Sequence, residues 1–410
     1  MIPEATGSSL RGRNKMRVLH VIPAVAARYG GPSRTIFDMC RALQKQGVQL
    51  LIATTDADGH GRLPVELGRP ITYQGLDVIF FPRQISEAFK YSRPLGQWLA
   101  ANVGRFDLVE IHAVFSHSSL AAARACRARN VPYLLRPLGS LGSWSLRHKN
   151  LRKKAIWHCG VRTMIRGAAA MHYTTVEEQR QAERVVPTIP GVVIPLGIDE
   201  SSINLSEAPD TGQHLQMLGQ HPYVLVLSRL HPVKGLELLL DVFLDLISRE
   251  RFQHWKLVVA GDGDAKYVES LKSAVRKRNA ADRVIFTGWL DGPQKIAALR
   301  SAALFASPSH HENFGVSVVE SLACGVPVLI SNHVGLCEEI RAAQAGWVST
   351  LDRANLLNSL ADALSDDAER STRGLAGREL VRSHFTWSNV AKQLTAFYAS
   401  YVQRPSLTVL

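Results

Sequence analysis

Two carboxylates and a short glycine-containing loop suggest a binding site in the second half of the chain. The segment HENFGVSVVE places Glu312 and Glu320 eight residues apart, with Asn313-Phe314-Gly315 between them. The apolar run that follows predicts a helix over 315–324, whose first backbone amides would be free to bind an anion. If all eight residues were helical, the two carboxylates would lie about 12 Å apart along the axis and about 80° apart around it. Each could accept hydrogen bonds from a pair of neighbouring hydroxyls.

Two cations on another loop complete this predicted site. Arg229 and Lys234 occur in SRLHPVKG, directly after the apolar run YVLVL. In doubly wound sheets, ligands bind beyond the carboxyl ends of the strands, where loops lead into helices. The two loops therefore predict a cradle for a diphosphate. A nucleotide sugar has hydroxyl pairs on both sides of its diphosphate, so we expect Glu320 to bind the ribose and Glu312 the sugar.

The elements that must position these residues are strands and helices in alternation. In the first half, the segments RVLHVIP, VQLLIAT, LDVIFFP, FDLVEIHA and VPYLLRP predict strands. The second half also has predicted strands, in the segments YVLVLSRL, WKLVVAGDG, DRVIFTGWL, ALFASPS and VPVLISN. Nearly continuous hydrophobicity is typical of parallel strands that are covered on both faces. The sequence thus predicts an α/β protein with two Rossmann-like doubly wound domains that face each other across a cleft.

Composition changes give the predicted domain boundaries. The stretch 201–222 is polar, rich in turn formers and without hydrophobic period, which is typical of a linker. It separates a first domain at 16–200 from a second at 223–387. Residues 1–15 are a predicted disordered extension, and 388–410 a predicted helical segment that crosses back to the first domain.

The positive charge of the chain is confined to its first half. The net charge is +13; residues 1–200 contain 27 Lys and Arg against 14 Asp and Glu, whereas 201–410 contain 21 of each. Such a field attracts nucleic acid, acidic membrane or phosphorylated substrate without choosing among them. The basic run 147–166 also carries Trp157, Val161 and Ile165 as apolar anchors. It is either a solvated helix or a contact with an anionic membrane surface.

The cysteines and the first apolar segment indicate the cellular compartment in which the protein is expected to reside. Five scattered cysteines without paired spacing predict free thiols in a reducing compartment. The segment RGRNKMRVLHVIPAVAAR has the charge pattern of a secretory signal, but its apolar run is short and contains His20 and Pro23. We therefore predict a strand over 17–23. No window reaches the roughly 18 apolar residues that span a bilayer.

Seven motifs are spread over most of the chain: YGGPS, IHAVFS, VIPLGIDES, SRLHPVKG, VVAGDGD, FTGWL and HENFGVSVVESLACGVPVLIS. On these motifs, the chain from Met16 to about Tyr401 resembles the retaining glycosyltransferases of family 4, which have the GT-B fold. The Glu–seven residues–Glu spacing alone is weak. It becomes specific because Arg229 and Lys234 precede it by about 80 residues and ACGVPV follows it.

The resemblance implies a role for each matching residue. Gly30 and Gly31 match the glycine loop that closes over the donor diphosphate, and His112 matches the histidine that lines the reaction centre. Arg229 and Lys234 match the diphosphate-binding pair that usually replaces a metal ion. No metal site and no cofactor are therefore expected.

The same resemblance assigns Glu312 to the donor sugar and Glu320 to the ribose, with the Asn313-Phe314-Gly315 loop in the donor site. Two departures from the family pattern are visible. Asn313 replaces a commoner glycine, and Leu196 stands where an asparagine is frequent. Neither position carries charge, so the departures affect the expected identity of donor and acceptor rather than the expected activity.

The expected function is transfer of a sugar from a nucleoside diphosphate sugar, with retention, to a lipid-linked or saccharide acceptor bound mainly by the first domain. The expected pathway is assembly of a bacterial surface polysaccharide, such as lipopolysaccharide or exopolysaccharide. The expected location is the cytoplasm or the inner face of its membrane, without a nucleic-acid partner. Two alternatives stay open: a nucleotide-sugar epimerase on the same fold, and a catalytically inactive basic binding protein.

Overall fold

The computed structural model of the chain describes residues 15–85, 87–142, 156–186, 189–199 and 221–402. The predicted extension 1–15 and the predicted linker 201–222 lie almost entirely outside these residues. So does the first part, 147–155, of the basic run.

The first domain is built on an eight-stranded sheet. The strands of this half are β1 (Arg17–Ala24), β2 (Gln49–Thr55), β3 (Ala57–Asp58), β4 (Gly61–Arg62), β5 (Pro70–Tyr73), β6 (Leu76–Phe81), β7 (Leu108–His112), β8 (Tyr133–Arg136), β9 (Ala170–Tyr173) and β10 (Gly191–Val193). The sheet order is β10-β9-β8-β7-β1-β2-β6-β5. All pairs are parallel except β5 with β6, and β3 pairs with β4 as a separate hairpin.

The second domain has a six-stranded parallel sheet. Its strands are β11 (Tyr223–Leu227), β12 (Lys256–Ala260), β13 (Val284–Gly288), β14 (Leu304–Ser307), β15 (Val328–Ser331) and β16 (Gly346–Ser349). The order is β13-β12-β11-β14-β15-β16. Numbered within the domain, this is the Rossmann order 3-2-1-4-5-6, with its switch point between β11 and β14. The predicted fold class, two Rossmann-like α/β domains, is confirmed.

Helices connect and cover the strands. They are α1 (Gly31–Lys45), α2 (Arg93–Asn102), α3 (His117–Arg129), α4 (Arg162–Arg166), α5 (Val176–Glu183), α6 (Leu236–Ile247), α7 (Ala265–Lys277), α8 (Gly292–Ser301), α9 (Val316–Ala323), α10 (Cys337–Ala342), α11 (Arg353–Ser365), α12 (Asp367–His384) and α13 (Trp387–Val402). A π-helical turn, Trp157–Val161, precedes α4. Among the described helices, none combines the length and the apolar character needed to cross a membrane.

The predicted geometry of the two glutamates was wrong in one respect. The helix begins at Val316, because Gly315 has a φ of 88°, in the left-handed region that ends helical continuity. Glu312 therefore lies on a loop, where it forms an isolated backbone bridge with Val334. The helical rise and rotation estimated for eight consecutive residues do not apply to this pair.

Helix α13 packs against the first domain although it follows the second domain in sequence. The backbone N–H of Ile198 donates to Phe385, and that of Trp387 donates to Ile198. From there α13 runs along α1, and its apolar face joins a core that contains buried residues of both sheets. The Phe385 ring also contacts Phe314 edge-on, with 5.8 Å between centroids. The two domains are thus joined by shared apolar packing next to the cleft.

Candidate functional site

The loops after β11 and β14 are held together at the carboxyl edge of the second sheet. Gly235 follows the first loop with a φ of 66°, and a Cβ there would overlap the carbonyl oxygen of Pro308. The backbone N–H of His310 donates to the Val233 carbonyl at 2.8 Å. Only glycine combines this backbone angle with such close approach. The loop that carries Lys234 is therefore fixed against the loop that carries Glu312.

Lys234 and Glu312 form an ion pair in which 16% and 25% of the side chains remain exposed. The sequence analysis assigned them separately to the diphosphate and to the sugar, and the structure brings them into direct contact. An ammonium group has three donors, so Lys234 can bind this carboxylate and an anionic ligand at the same time. Arg229, five residues earlier, is exposed. It forms no ion pair within the part of the chain that the structure describes.

Glu320 also has a cationic partner, which sequence reasoning missed. Lys295, on α8, donates to the Glu320 carboxylate at 2.6 Å. The charge of the same lysine also acts on Asp38, which lies on α1 of the first domain. Burial raises the pKa of Asp38, and Arg41 and Lys295 oppose that rise. This corner of the cleft therefore combines charges from both domains.

The loop before α9 divides its contacts between the two domains. The side-chain amide of Asn313 donates to Thr174 at 2.9 Å, and the hydroxyl of Thr175 donates to the Asn313 carbonyl at 3.3 Å. The ring of Phe314 is buried against Phe385. Asn313 thus bridges the domains with its side chain, and Phe314 can contribute to a donor site only through its backbone. Gly315 precedes the first turn of the helix.

The glycine loop of the first domain faces that first turn across the cleft. Gly30 has a φ of 85° and lies directly before α1. A Cβ on Gly31 would lie 4.0 Å from the nearest methyl of Val316. Nearby, the Arg34 guanidinium lies 5.5 Å from the ring centroid of Trp289, a second contact between the domains. A ligand at the amides of α9 would therefore be covered by the glycine loop.

His112 ends β7, and its side chain belongs to a buried polar cluster rather than to the open cleft. Only 1% of His112 is exposed. Its Nε2 lies 3.1 Å from Nδ1 of His20, which in turn lies 3.3 Å from the carboxylate of Glu110. Glu110 also contacts Nδ1 of His172 at 2.6 Å and accepts a hydrogen bond from the Tyr398 hydroxyl at 2.6 Å. The cluster links α13 to the predicted catalytic histidine.

The charges of this cluster are mutually stabilised. Burial opposes ionisation of Glu110, yet His172, His20 and His112 hold its pKa well below the ordinary range. Burial lowers the pKa of His112, and the charge of Glu110 only partly opposes this. Burial also acts to lower the pKa of His20, but Cys40 and Glu110 raise it to about 10. These opposite shifts favour a neutral His112 beside an ionised Glu110.

Three side chains of this cluster have the spacing of a metal site, and they are the only such group among the residues that the structure describes. The ligand atoms of His20, Glu110 and His112 all lie within 4.8 Å of one another. Direct contacts between these atoms already account for their closeness, so the spacing does not require an ion.

The neighbouring Arg136 is also buried, with its Nη1 donating to the sulfur of Met39 at 3.0 Å. Its Nε and Nη2 have no hydrogen-bond partner among the described residues.

The predicted site residues therefore fall into two groups. Lys234, Glu312 and the 313–315 loop meet at the second sheet, where Gly31 approaches them, while His112 lies at the carboxyl edge of the first sheet. The sequence analysis did not find Lys295, Glu110 or Tyr398. For Glu110 a signal existed, since it lies within a mostly apolar strand, as His20 and His172 do. No comparable signal marks Lys295 on its surface helix.

Comparison with known proteins assigns the class of this protein. The model of the glycosyl transferases group 1 matches residues 213–379, and the model of the glycosyl transferase 4-like domain matches residues 30–197. The two matches correspond to the two domains described above and together cover most of the chain. The chain belongs to the family-4 type of glycosyltransferases, with the GT-B fold.

Particular relatives make this class more concrete. The phosphatidyl-myo-inositol mannosyltransferase of Mycobacterium leprae is 30% identical over 213 residues, which cover 50% of this chain and 53% of that protein. The D-inositol 3-phosphate glycosyltransferase of Jonesia denitrificans is 24% identical over 393 residues, which cover 90% and 91%. The chain spans about half the length of the mycobacterial enzyme and of several other curated relatives.

A similar solved structure is that of Anabaena Alr3699/HepE in complex with UDP-glucose. It has a TM-score of 0.74 and 19% sequence identity, and the superposition covers 94% of this chain and all of that chain. At this identity the similarity shows the shared GT-B fold. Together, the matching family models and the shared fold show that this chain belongs to the glycosyltransferase family.

Proposed function

We propose that the protein transfers a sugar from a nucleoside diphosphate sugar to an acceptor, with retention and without a metal ion. The observation that carries this proposal is the convergence of Lys234, Glu312 and the first turn of α9 in a cleft closed by the glycine loop. Arg229 and Lys234 would bind the diphosphate, together with the helix amides. Their positive charge would stabilise the leaving group as the sugar–phosphate bond breaks, which is usually a large term in such catalysis.

The other residues would orient the two substrates. Glu312 would hold the donor sugar and keep Lys234 in place. Glu320 would hold the ribose, whose hydroxyls would compete with Lys295 for the Glu320 carboxylate. The acceptor hydroxyl would attack the anomeric carbon on the face from which the diphosphate departs, and the leaving diphosphate would take the hydroxyl proton. His112 is buried beside His20, so it would support the acceptor side of the reaction centre without presenting an exposed ring to the cleft.

The relatives support a sugar donor of this kind and an acceptor that carries a lipid or a phosphate. One relative is described as a phosphatidyl-myo-inositol mannosyltransferase, and another as a D-inositol 3-phosphate glycosyltransferase. We therefore include in the proposal a lipid-linked or saccharide acceptor, a place in surface polysaccharide assembly, and peripheral contact of the region 147–166 with the inner face of the membrane.

A panel of nucleotide sugars tests the proposal, with products analysed by mass spectrometry on membrane lipid extract and saccharide acceptors. We expect transfer from one donor with retained anomeric configuration and with full activity in excess EDTA. Arg229→Ala and Lys234→Ala should each lower the rate by about 10²-fold, as expected on loss of one leaving-group stabiliser. Lys277→Ala, an exposed lysine on α7, serves as the matched control.

Three outcomes would contradict parts of the proposal. Strict dependence on Mg²⁺ or Mn²⁺ would exclude the role given to Arg229 and Lys234. An inverted product would exclude retention. Isomerisation of the donor without any transfer would favour the nucleotide-sugar epimerase instead.

A further inference from the structure

A groove of about 790 Å³ lies on the first domain, between α2, α3, the π-helical turn and α4. Small residues form its floor: Gly96 and Ala100 on α2, Ala121 and Ala125 on α3, and Gly160 in the π-helical turn. The two helices approach closely, since a Cβ on Gly96 would lie 3.8 Å from the Cβ of Ala121. Binding sites for small molecules commonly have volumes of about 300–1,000 Å³. The groove is therefore large enough for a ligand and mostly aliphatic.

The rim of this groove is cationic and unpaired. Arg93, Arg124 and Arg127 line it and are exposed. Within the described residues, none of the three forms an ion pair, and neither do Arg162 and Arg166 on α4. Other arginines of the same domain do so, among them Arg17, Arg28, Arg41, Arg69 and Arg83. The arginines at the groove thus have free capacity for an anion.

The sequence around the groove excludes carboxylates. Residues 111–176 contain eleven lysine and arginine residues and no aspartate or glutamate. This stretch includes α3, α4 and the π-helical turn, so three of the four walls come from it. Guanidinium groups suit phosphate, which they can bind through two parallel hydrogen bonds.

An exposed aliphatic side chain, Ile85, follows a residue that is hydrogen-bonded to the groove lining. Ile85 is 79% exposed, the largest fraction for a large apolar residue in the part of the chain described. It follows Gln84, whose backbone N–H donates to the carbonyl of Tyr91 and whose side chain accepts from the backbone N–H of Arg93. Tyr91 and Arg93 both line the groove. An aliphatic side chain beside a cationic rim is typical of a surface that contacts the membrane interface.

We infer that this groove binds one phospholipid with an anionic headgroup. One hydrocarbon chain lies on the alanine and glycine floor, and the phosphate contacts the arginine rim while Ile85 enters the bilayer. A nucleic acid is less suitable, because the aliphatic part of the lining, which includes Leu120, Met164 and several alanines, favours a hydrocarbon chain over a polar sugar–phosphate backbone. The site lies outside the donor cleft and goes beyond the proposed function, to which it adds a defined way of holding the enzyme at a membrane.

Binding of short-chain dihexanoylphosphatidylglycerol below its micellar concentration tests the inference, with the full chain studied by native mass spectrometry and calorimetry. We expect one bound lipid per chain. Ala100→Trp, at an exposed position on α2, fills the groove and should abolish binding. Arg124→Ser with Arg127→Ser should weaken it by about 30-fold, since each basic contact with an anionic lipid contributes roughly a factor of five.

Matched controls separate the groove from general charge effects. Arg276→Ser with Arg278→Ser removes the same charge at the C-terminal end of α7, and this variant should bind lipid like the wild type. Ala128→Trp repeats the filling experiment in case Ala100→Trp fails to fold, which thermal melts will show. Glycerol phosphate, which has the headgroup but no chain, should not displace the lipid.

Several results would overturn the inference. These are wild-type affinity in both filled variants, equal weakening in the Arg276/Arg278 control, and full displacement by glycerol phosphate. Displacement of the lipid by a single-stranded oligonucleotide that the filled variants no longer bind would assign the groove to nucleic acid. Transfer to a soluble acceptor, measured on the same variants, tests the proposed function separately, because none of the changed residues lies in the donor cleft.

Discussion

The contact between Tyr398 and Glu110 provides a sharp test of how α13 stabilises the first domain. Tyr398 is fully buried, and its hydroxyl donates to the Glu110 carboxylate at 2.6 Å. Tyr398→Phe keeps the ring and removes only this donor. Glu110 keeps His172 and His20 as partners, so the buried carboxylate loses one of its hydrogen bonds rather than all of them.

The expected cost follows from the charge of the acceptor. A hydrogen bond to a charged group contributes about 1.5–3 kcal/mol to stability. For a domain of 150–250 residues, each kcal/mol shifts the melting temperature by about 2–4 °C. Tyr398→Phe should therefore lower the melting temperature of the first domain by about 3–12 °C.

Circular dichroism melts and guanidinium titrations measure this effect, with Tyr173→Phe as the control. The Tyr173 hydroxyl is also buried, but it has no hydrogen-bond partner among the described residues. Its removal should leave the melting temperature unchanged or slightly higher. If Tyr398→Phe and Tyr173→Phe have the same melting temperature, the Tyr398 hydroxyl contributes nothing to stability. That result would refute a stabilising link between α13 and the polar cluster.

Three further predictions concern the site and its surroundings. Glu320→Gln should mainly raise KM, because the ribose contact proposed for Glu320 is equal in ground and transition states. Glu312→Gln should mainly lower kcat, and steady-state kinetics showing the reverse would exchange the two assignments. Gly235→Ala should lower both stability and transfer, because a Cβ overlaps Pro308 at a positive φ, and a normal melt with normal kinetics would contradict this. The pKa of Glu110 is held well below its unfolded value of about 4.3, so its stabilisation is present above that pH and lost as the pH falls below it. Glu110→Gln should therefore flatten the acid limb of unfolding free energy against pH, and an unchanged limb would exclude this origin.

The sequence predicted the fold because its main signals are local. Continuous apolar runs identify buried parallel strands. The strand predicted at 17–23 is confirmed as Arg17–Ala24, which excludes a signal-like helix there. The helix after Gly315 was predicted to within a residue at either end. Its geometry was wrong only where residues 312–315 were treated as helical, because a left-handed glycine interrupts the helix.

The partners within the site could not be predicted in the same way. The Lys295–Glu320 pair joins residues on two different helices, and the Asn313–Thr174 contact joins two domains. Such pairs depend on how elements pack, and neither composition nor spacing along the chain reports that packing. The sequence indicates which residue types are present, whereas their pairing depends on tertiary geometry.

The position of α13 has a consequence for how the protein is made. The first domain needs Tyr398 and the apolar face of Trp387–Val402 to complete its core. More than 180 residues of the second domain and its flanking segments must be synthesised between Ile198 and this helix. At about 5–20 residues per second, the ribosome needs roughly 10–40 s for that interval. Throughout it, the surface of α1 that α13 later covers stays open, so a chaperone that binds apolar surfaces would find its target on the domain made first.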